Sequence, residues 1–431
     1  MSRASLIQQA LAVAVTFGAS FCLPTLASAA TPSGKLMGVF LETGRSQDKG
    51  FILSGRESAQ QLLVGGRLSN GRIQDLTRAA QYQVSPQGVV SVGKDGYVVA
   101  LREGQATIHA QVEGFDQAVR VTVTDLVNGV PVNFANEVVP VFTKFGCNSG
   151  GCHGKASGQN GFKLSLLGFE PTEDYEYLTR EARGRRLFPA DPDHSLLLMK
   201  AVGGVPHGGG ARLAKDSPFY RVIHRWMQQG ASQGRPSDPV VQRIEVLPNE
   251  RLMGQESSQQ LIVIAHYSDG SARDVTRMTQ FESNEEETAA VSETGLVETF
   301  KLTGAAGIMT RFQAHVDVFR ATIPLGVEVV NLPKPNNFVD ELVFKQLKKL
   351  GLPPSDTCDD MTFLRRATVD VAGRLPTLEE AEAFLKNNDP QRREQLIDRL
   401  LDSDDHAYYF ANKWSSVLRN KRESSSDDSK P

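Results

Sequence analysis

The 431-residue sequence lacks three features that would place it quickly in a functional class. It has no excess of one charge, since 47 basic and 50 acidic residues give a net charge of −3, which predicts neither nucleic-acid nor other polyanion binding. After its N-terminus it has no apolar run of the ~20 residues that a membrane-spanning helix needs. It also has no Ser/His/Asp set, phosphate-binding glycine loop or zinc-binding pattern. A defined catalyst is therefore not predicted, and the few cysteines, four in all, become informative.

Residues 1–29 are predicted to be a secretory signal peptide. Arg3 supplies the positive charge, Ala10–Phe21 form the apolar stretch, and the alanines ending at Ala29 provide the cleavage site. Cys22 follows a phenylalanine where a lipid-attachment site needs a small residue, which argues against a lipid anchor. We expect an exported protein of the periplasm or cell surface, with no membrane span after signal cleavage.

Export leaves Cys147, Cys152 and Cys358, and the first two lie in the run FGCNSGGCHG, directly before His153. In the pattern C-x-x-C-H, two thiols form thioethers to haem and the histidine binds the iron. Here the cysteines enclose four residues rather than two, and the glycines among them let the longer loop bulge through backbone angles closed to other residues. A disulfide loop and half of a metal site are the alternatives at this point. Cys358 lies in a polar stretch and is predicted to be a free thiol without a role.

Residues 36–125 and 242–330 are predicted to be two copies of one β-sandwich module, because short alternating stretches are separated by turn dipeptides. The predicted strands of the first copy are Gln60–Gly65, Val89–Val92, Tyr97–Leu101, Ala106–Val112 and Ala118–Val123. A shift of 199 residues, with one residue inserted later, aligns the copies, matching Gln61 with Gln260, Asp75 with Asp274, Arg78 with Arg277 and Gly96 with Gly295. The copies resemble bacterial immunoglobulin-like domains of group 2. The resemblance implies spacers or weakly adhesive modules, with cell-surface polysaccharide as a candidate ligand.

Residues 130–235 are predicted to be an all-α domain. Pro140 begins a short helix that runs into Cys147. Ser217 caps a later helix, whose apolar residues keep helical spacing until Gly230. A helix before the cysteine pair and an aromatic-bearing helix at the end form the frame of a small cytochrome c, in which haem fills the core.

This segment resembles the planctomycete-type cytochrome c family through three landmarks in the family's order. They are Cys147…Cys152-His153, Pro189-Ala190-Asp191-Pro192-Asp193-His194-Ser195-Leu196-Leu197 and Trp226-Met227-Gln228-Gln229-Gly230-Ala231. The resemblance implies one covalently bound haem c, with thioethers at Cys147 and Cys152 and with His153 as the proximal iron ligand.

The sequence departs from that family's pattern at the expected sixth iron ligand. Val205-Pro206-His207 stands here in place of the family's Met-Pro-Pro turn. We predict His207 as the distal ligand, with Met199 or an open site as the alternatives. Bis-histidine ligation lowers the reduction potential relative to His/Met ligation. A basic cluster either pairs with haem propionates or lies in a solvated loop; its members are Arg180, Arg183, Arg185 and Arg186.

Residues 334–420 are predicted to form a helical block. Asn337 caps its first helix, which ends at Gly351, Thr377 and Glu380 form a capping box, and the last helix covers Ala407–Leu418. Residues 421–431 are predicted to be a disordered tail. The block resembles a helical domain of unknown function found in the same exported proteins, through the run Phe363–Thr377. Relatives continue into a further domain, so a truncated chain is expected. The block's charged residues have helical spacing, which favours a salt-bridge network over a hydrolase or oxidoreductase site; they are Arg365, Arg366, Asp370 and Arg374.

The sequence thus predicts a multidomain α and β protein, in which two Ig-like β-sandwiches flank an all-α cytochrome c-like domain and a helical domain follows. The predicted function is electron transfer through a covalent haem to an unidentified redox partner, rather than catalysis. The alternative is a surface- or polysaccharide-binding protein in which Cys147 and Cys152 form a structural disulfide.

Overall fold

The computed structural model describes residues 34–45, 50–127 and 129–420. The predicted signal peptide (1–29) and the predicted tail (421–431) lie outside these residues. The chain divides into two compact units between Pro353 and Pro354, and each is described by itself. Within the described ranges, no helix is both long and apolar enough to cross a membrane.

The first β-module is built from short strands that bury alternate residues. Ala106, Ile108 and Ala110 of one strand are buried while the residues between them are not, as a strand with one core-facing side requires. The strands pair in sheets with the orders β1-β4-β5, β2-β10-β9-β6 and β3-β8-β7. Their bounds are β1 (Leu36–Glu42), β2 (Phe51–Ser54), β3 (Ala59–Gln61), β4 (Leu63–Leu68), β5 (Ile73–Asp75), β6 (Gln81–Ser85), β7 (Val90–Val92), β8 (Tyr97–Ala100), β9 (Gly104–Val112) and β10 (Phe115–Thr124).

The second β-module repeats the first in topology, with sheet orders β11-β14-β15, β12-β20-β19-β16 and β13-β18-β17. Strands β2 to β8 begin 199 residues before β12 to β18, and β9 and β10 begin 200 residues before β19 and β20. Both copies therefore have the predicted Ig-like β-sandwich fold. The bounds are β11 (Val241–Leu247), β12 (Glu250–Leu252), β13 (Ser258–Gln260), β14 (Ile262–Tyr267), β15 (Ala272–Asp274), β16 (Gln280–Ser283), β17 (Ala289–Val291), β18 (Leu296–Thr299), β19 (Gly304–Phe312) and β20 (His315–Ile323).

One predicted strand of the first module, Gln60–Gly65, is wrong as a single element. Leu62 separates β3 from β4, which pair in different sheets. The Leu62 amide donates to the Gly96 carbonyl, so the chain crosses between sheets without losing a hydrogen bond.

The residues between the modules fold into helices and loops. A π-helical turn at Phe134–Val138 leads into α1 (Val139–Lys144), and α2 (Pro171–Thr179), α3 (Leu196–Ala201) and α4 (Pro218–Gln228) follow, with 3₁₀ turns between them. As predicted, Ser217 caps the last helix by accepting from the Tyr220 amide. Trp226 of α4 lies 5.2 Å from Phe134, measured between ring centroids, so the first and last helical elements pack together.

The first unit ends with α5 (Phe338–Leu350), which Asn337 caps and which ends at the left-handed Gly351, as predicted. The second unit contains α6 (Asp360–Ala372), α7 (Leu378–Lys386), α8 (Arg392–Leu401) and α9 (Asp404–Val417). Its core is formed by Leu364, Ala372, Phe384, Leu396 and Leu400.

Helix caps set the bounds of the second unit's helices. The predicted capping box is present, with Thr377 and Glu380 each bonding the other's backbone amide. The last helix begins three residues earlier than its predicted start at Ala407, because Ser403 accepts from the His406 amide and acts as the cap.

Candidate functional site

The cysteine loop begins where α1 ends. Gly146 has a left-handed backbone (φ 68°), a conformation that glycine adopts without steric cost. The His153 amide then donates to the Cys147 carbonyl (3.0 Å), so the residues between them form a closed turn. Gly154 is also required, because a Cβ there would lie 1.9 Å from the Asn148 carbonyl oxygen. The longer cysteine spacing is thus accommodated in one compact loop.

The glycines inside this loop are not the ones that the turn needs. Neither Gly150 nor Gly151 has a positive φ, and a Cβ at Gly151 would meet nothing within 4 Å. The predicted role of these glycines is therefore wrong. The conformational requirement lies at the ends of the loop, in Gly146 and Gly154.

Cys147 and Cys152 carry free thiols, and both line one cavity together with His153 and His207. Burial raises the pKa of the Cys147 thiol to about 11, and the nearby Cys152 adds to the rise. A thiol with this pKa is protonated at neutral pH and is a weak nucleophile. Cys147 therefore does not resemble an activated catalytic cysteine.

Hydrogen bonds set the same tautomer in the two cavity histidines. Nδ1 of His153 lies 3.1 Å from the Phe162 carbonyl oxygen, and Nδ1 of His207 lies 2.8 Å from the Gly210 carbonyl oxygen. Because a carbonyl only accepts, each Nδ1 donates its hydrogen, and in the neutral ring Nε2 then keeps a lone pair. Metal-binding histidines are oriented by this kind of bond.

The electrostatics of His153 also favour metal binding. Burial lowers the pKa of its imidazole, and the neighbouring His207 lowers it further. A lowered pKa keeps the ring neutral at physiological pH, and neutral imidazole is the form that binds a metal.

The spacing of the two rings suits one shared metal. Their centroids are 6.3 Å apart and their planes differ by 6°. Two imidazole nitrogens, each at about 2.0–2.1 Å from one metal, place the ring centres at most roughly 6 Å apart.

The cavity has a volume of about 460 Å³, within the usual range for cofactor sites. Its walls are largely apolar, because Phe142, Leu164, Leu213 and Ile223 line it and also belong to the buried core of the helical segment.

The charged side chains that line this cavity in the described structure all carry positive charge; they are Arg185, Arg186, Lys200 and Arg212. Arg185 and Arg212 are exposed and Lys200 is half-buried, whereas Arg186 is buried. An apolar ligand with anionic groups would match this lining.

The candidate distal ligands differ in their relation to the cavity. His207 lines it, and Met199 is not among the described residues that do. Met199 lies on α3, which presents Leu196, Leu197 and Lys200 to the cavity instead.

The predicted basic cluster is only partly at the site, since Arg180 pairs with Glu176. Arg186 donates to the Tyr177 and Gly161 carbonyls and lies over the Phe162 ring, so much of its hydrogen-bonding capacity is used internally. Sequence reasoning missed Lys200 and Arg212. In the sequence, only their positions close to Ser195-Leu196-Leu197 and Val205-Pro206-His207 could have indicated them.

The second unit uses its charges in ion pairs. Arg374 pairs with Glu380 and Asp405, and the arginines Arg392 and Arg393 both pair with Asp360. Only Arg374 of the four predicted residues takes part in these bridges. The remaining three, Arg365, Arg366 and Asp370, show no ion pair in the described part of the unit.

Across residues 34–45, 50–127 and 129–420, no group of three or more His, Cys, Asp or Glu side chains could hold a metal ion. The His153–His207 pair therefore offers two protein ligands at most.

Known structures resemble the chain only distantly. Domains 5–6 of the S-layer protein SbsC are 10% identical, with 68% of this chain and 99% of that chain covered at a TM-score of 0.26. Domains 1–6 of SbsC are 9% identical over 70% of this chain, with a TM-score of 0.18, and this chain spans 30% of their length. Extracellular domains 3–5 of Drosophila OTK are 8% identical over 66% of this chain and 61% of theirs, with a TM-score of 0.13. Likeness at this level supports no conclusion about function.

Sequence comparison is informative at the C-terminal end. No curated protein matches the chain. Residues 338–431 match the family PSCyt2, described as a protein of unknown function (DUF1549). The match covers well under half of the chain and includes α5 to α9. The chain therefore contains a DUF1549 domain at residues 338–431. This agrees with the helical domain of unknown function that the sequence predicts.

Proposed function

We propose that the cavity binds one haem c, attached through Cys147 and Cys152 and ligated by His153 and His207. The observation that carries this proposal is the donor set. Two free thiols and two imidazoles, each with Nδ1 bonded to a backbone carbonyl, line one cavity at a ring spacing that one metal allows. A bound haem would supply reversible one-electron transfer.

Each part of the chain around the cavity has a role in this proposal. The Phe162 and Gly210 carbonyls orient the two histidines. The apolar walls exclude water, and the cations Arg185, Lys200 and Arg212 suit the propionate groups. His207 is preferred to Met199 as distal ligand because it lines the cavity.

The helical segment is proposed to be a cytochrome c-like domain. α1 leads directly into the cysteine loop, and α4 packs on the first helical turn through Trp226 and Phe134. This arrangement agrees with two terminal helices that enclose a cofactor-filled core.

We further propose that the protein is exported and exchanges electrons with a redox protein in the periplasm or at the cell surface. The predicted signal peptide supports export, and covalent haem attachment takes place in such compartments. The alternative, surface or polysaccharide binding with a Cys147–Cys152 disulfide, remains a prediction. The free thiols of the structure are the state that haem attachment requires.

The test is expression of the full chain with a cytochrome c maturation system, followed by a pyridine haemochrome spectrum of the denatured protein. We expect about one covalent haem per chain, and none in Cys147→Ser/Cys152→Ser. Cys358→Ser is the matched control and should retain the haem, since this free cysteine lies in the second unit. A wild-type protein without haem, whose Cys147 and Cys152 form a disulfide, would overturn the proposal.

A further inference from the structure

The two β-modules contact each other through equivalent residues used reciprocally. The Gln61 amide donates to Asp274 (2.6 Å), and the Gln260 amide, at the equivalent position, donates to Asp75 (2.5 Å). Asp75 and Asp274 are themselves equivalent under the 199-residue shift. Each module therefore gives a buried backbone donor and receives one, which is the geometry of a pseudo-two-fold interface.

Side chains extend the same symmetry. Arg78 donates to the Gln260 side chain (3.0 Å), and its equivalent Arg277 donates to the Gln61 side chain (3.3 Å). Both glutamines are fully buried. Arg277 also pairs with Asp95 (2.5 Å), a contact without a counterpart, since Thr294 stands at the equivalent position in the second module.

An apolar cluster lies beside these polar contacts and joins the two modules. Leu63 of the first module and Ile262 and Ile264 of the second are each completely buried in it. Leu63 and Ile262 are again equivalent positions. The interface thus combines an apolar centre with paired hydrogen bonds, as stable contacts between domains do.

Both modules also hold the helical segment, and each contacts the helix that lies farther from it along the chain. Glu57, in the first module, pairs with Arg225 of α4. Lys144, the last residue of α1, donates to the Thr279 and Glu293 carbonyls of the second module (2.8 and 2.7 Å). Lys144 is three residues before Cys147, so this anchor adjoins the cysteine loop.

We infer that the two β-modules form a closed clamp that fixes α1, α4 and the cysteine loop between them. The modules are then positioning elements for the cavity, in contrast to the spacer role that the sequence favours. The inference does not depend on haem binding, because the contacts belong to the chain alone.

The test uses the full chain without haem and measures its radius of gyration by small-angle scattering and the alkylation rate of each thiol by peptide mass spectrometry. Asp75→Ala/Asp274→Ala should enlarge the radius and speed labelling of Cys147 by about tenfold. The Gln61 and Gln260 amides lose their acceptors across the interface, and the Thr77 and Thr276 amides lose theirs within each module. Cys358, in the other unit, should keep its rate. Asp116→Ala is the matched control, because Asp116 is exposed and bonds His109 within its own module. An unchanged radius and an unchanged Cys147 rate in the double variant would overturn the clamp.

A second variant covers the case in which the double variant does not fold. Glu57→Gln removes the charge that holds Arg225 and leaves the module–module contacts intact. We expect several-fold faster labelling of Cys147 without a change in radius. If Glu57→Gln labels at the wild-type rate, the modules do not position the loop.

Discussion

The paired β-modules and the helical segment between them differ in how their polar groups are hydrogen-bonded. Where the modules meet, the buried glutamines and the aspartates of the two copies bond to one another. In the cavity of the helical segment, the thiols of Cys147 and Cys152 are free, and the described chain offers no partner to Nε2 of His153 or His207. The module contact is not fully paired either, since Gln60 Oε1 and Arg277 Nε are buried there without a partner among the described residues. The cavity differs because the two thiols and the two imidazoles, all of them able to bind haem, line one space.

The largest effect should come from removing the proximal ligand. His153→Ala in the haem-matured protein should reduce covalent haem per chain by at least about tenfold, because loss of even an orienting partner costs a metal site 10–100-fold. The haemochrome assay measures it. His224→Ala is the control, since His224 pairs with Asp193 and is not among the described residues of the cavity. Equal haem content in His153→Ala and His224→Ala would contradict the assignment of His153 as the proximal ligand.

The next effect sharpens the assignment of the distal side. His207→Ala should retain the covalent haem but convert its low-spin absorption spectrum to high-spin, because one axial ligand is lost. His207→Met should stay low-spin and raise the reduction potential, since a thioether favours Fe(II). A low-spin spectrum that survives His207→Ala would assign the sixth position to another residue, with Met199→Ala as the variant to examine next.

A smaller, symmetric effect is expected at the module interface. Asp75→Ala and Asp274→Ala should each lower the free energy of unfolding by at least about 1–3 kcal/mol, because each leaves one buried amide across the interface and one in its own module, that of Thr77 or Thr276, without an acceptor. Urea unfolding followed by circular dichroism measures both. Two similar losses would support reciprocity. A loss of stability in only one variant would show that the two hydrogen bonds across the interface do not contribute equally.

The smallest effect is expected in the second unit, where the ion pairs are mostly solvent-accessible. Hydrogen bonds from Arg374 lower the pKa of Glu380 to about 2, below its ordinary value of 4.5. A carboxylate with a depressed folded pKa stabilises the fold above pH 4.5, and this contribution disappears as the pH falls from 4.5 towards 2. Glu380→Gln should therefore speed hydrogen exchange in α7 at pH 6 but scarcely at pH 2. If the variant still exchanges faster than the wild type at pH 2, the pKa of Glu380 is not the cause of the difference.

Local sequence signals predicted much of the fold. The cap at Ser217, the box at Thr377 and the 199-residue repeat each specify nearby backbone, and the structure has all three. The prediction of Gln60–Gly65 as one strand is wrong, because nothing in its alternation shows that the chain changes sheets at Leu62.

Long-range contacts could not be predicted from these signals. The cavity brings His207 beside a loop more than fifty residues earlier, and only the family's order of landmarks suggested their meeting. Gln61, Asp75 and Arg78 were visible as residues shared with the second copy. Their mutual contact depends on how two modules dock, which composition and periodicity do not encode.

The proposed haem, held in the cavity that His153 and His207 line, is covalently attached to the chain. The most direct measurement is the intact mass of the exported, haem-matured protein under denaturing conditions, followed by peptide mapping. We expect the mass of the chain plus one haem, with the addition on the peptide that contains Cys147 and Cys152. The bare chain mass, with these cysteines oxidised to a disulfide, would contradict it.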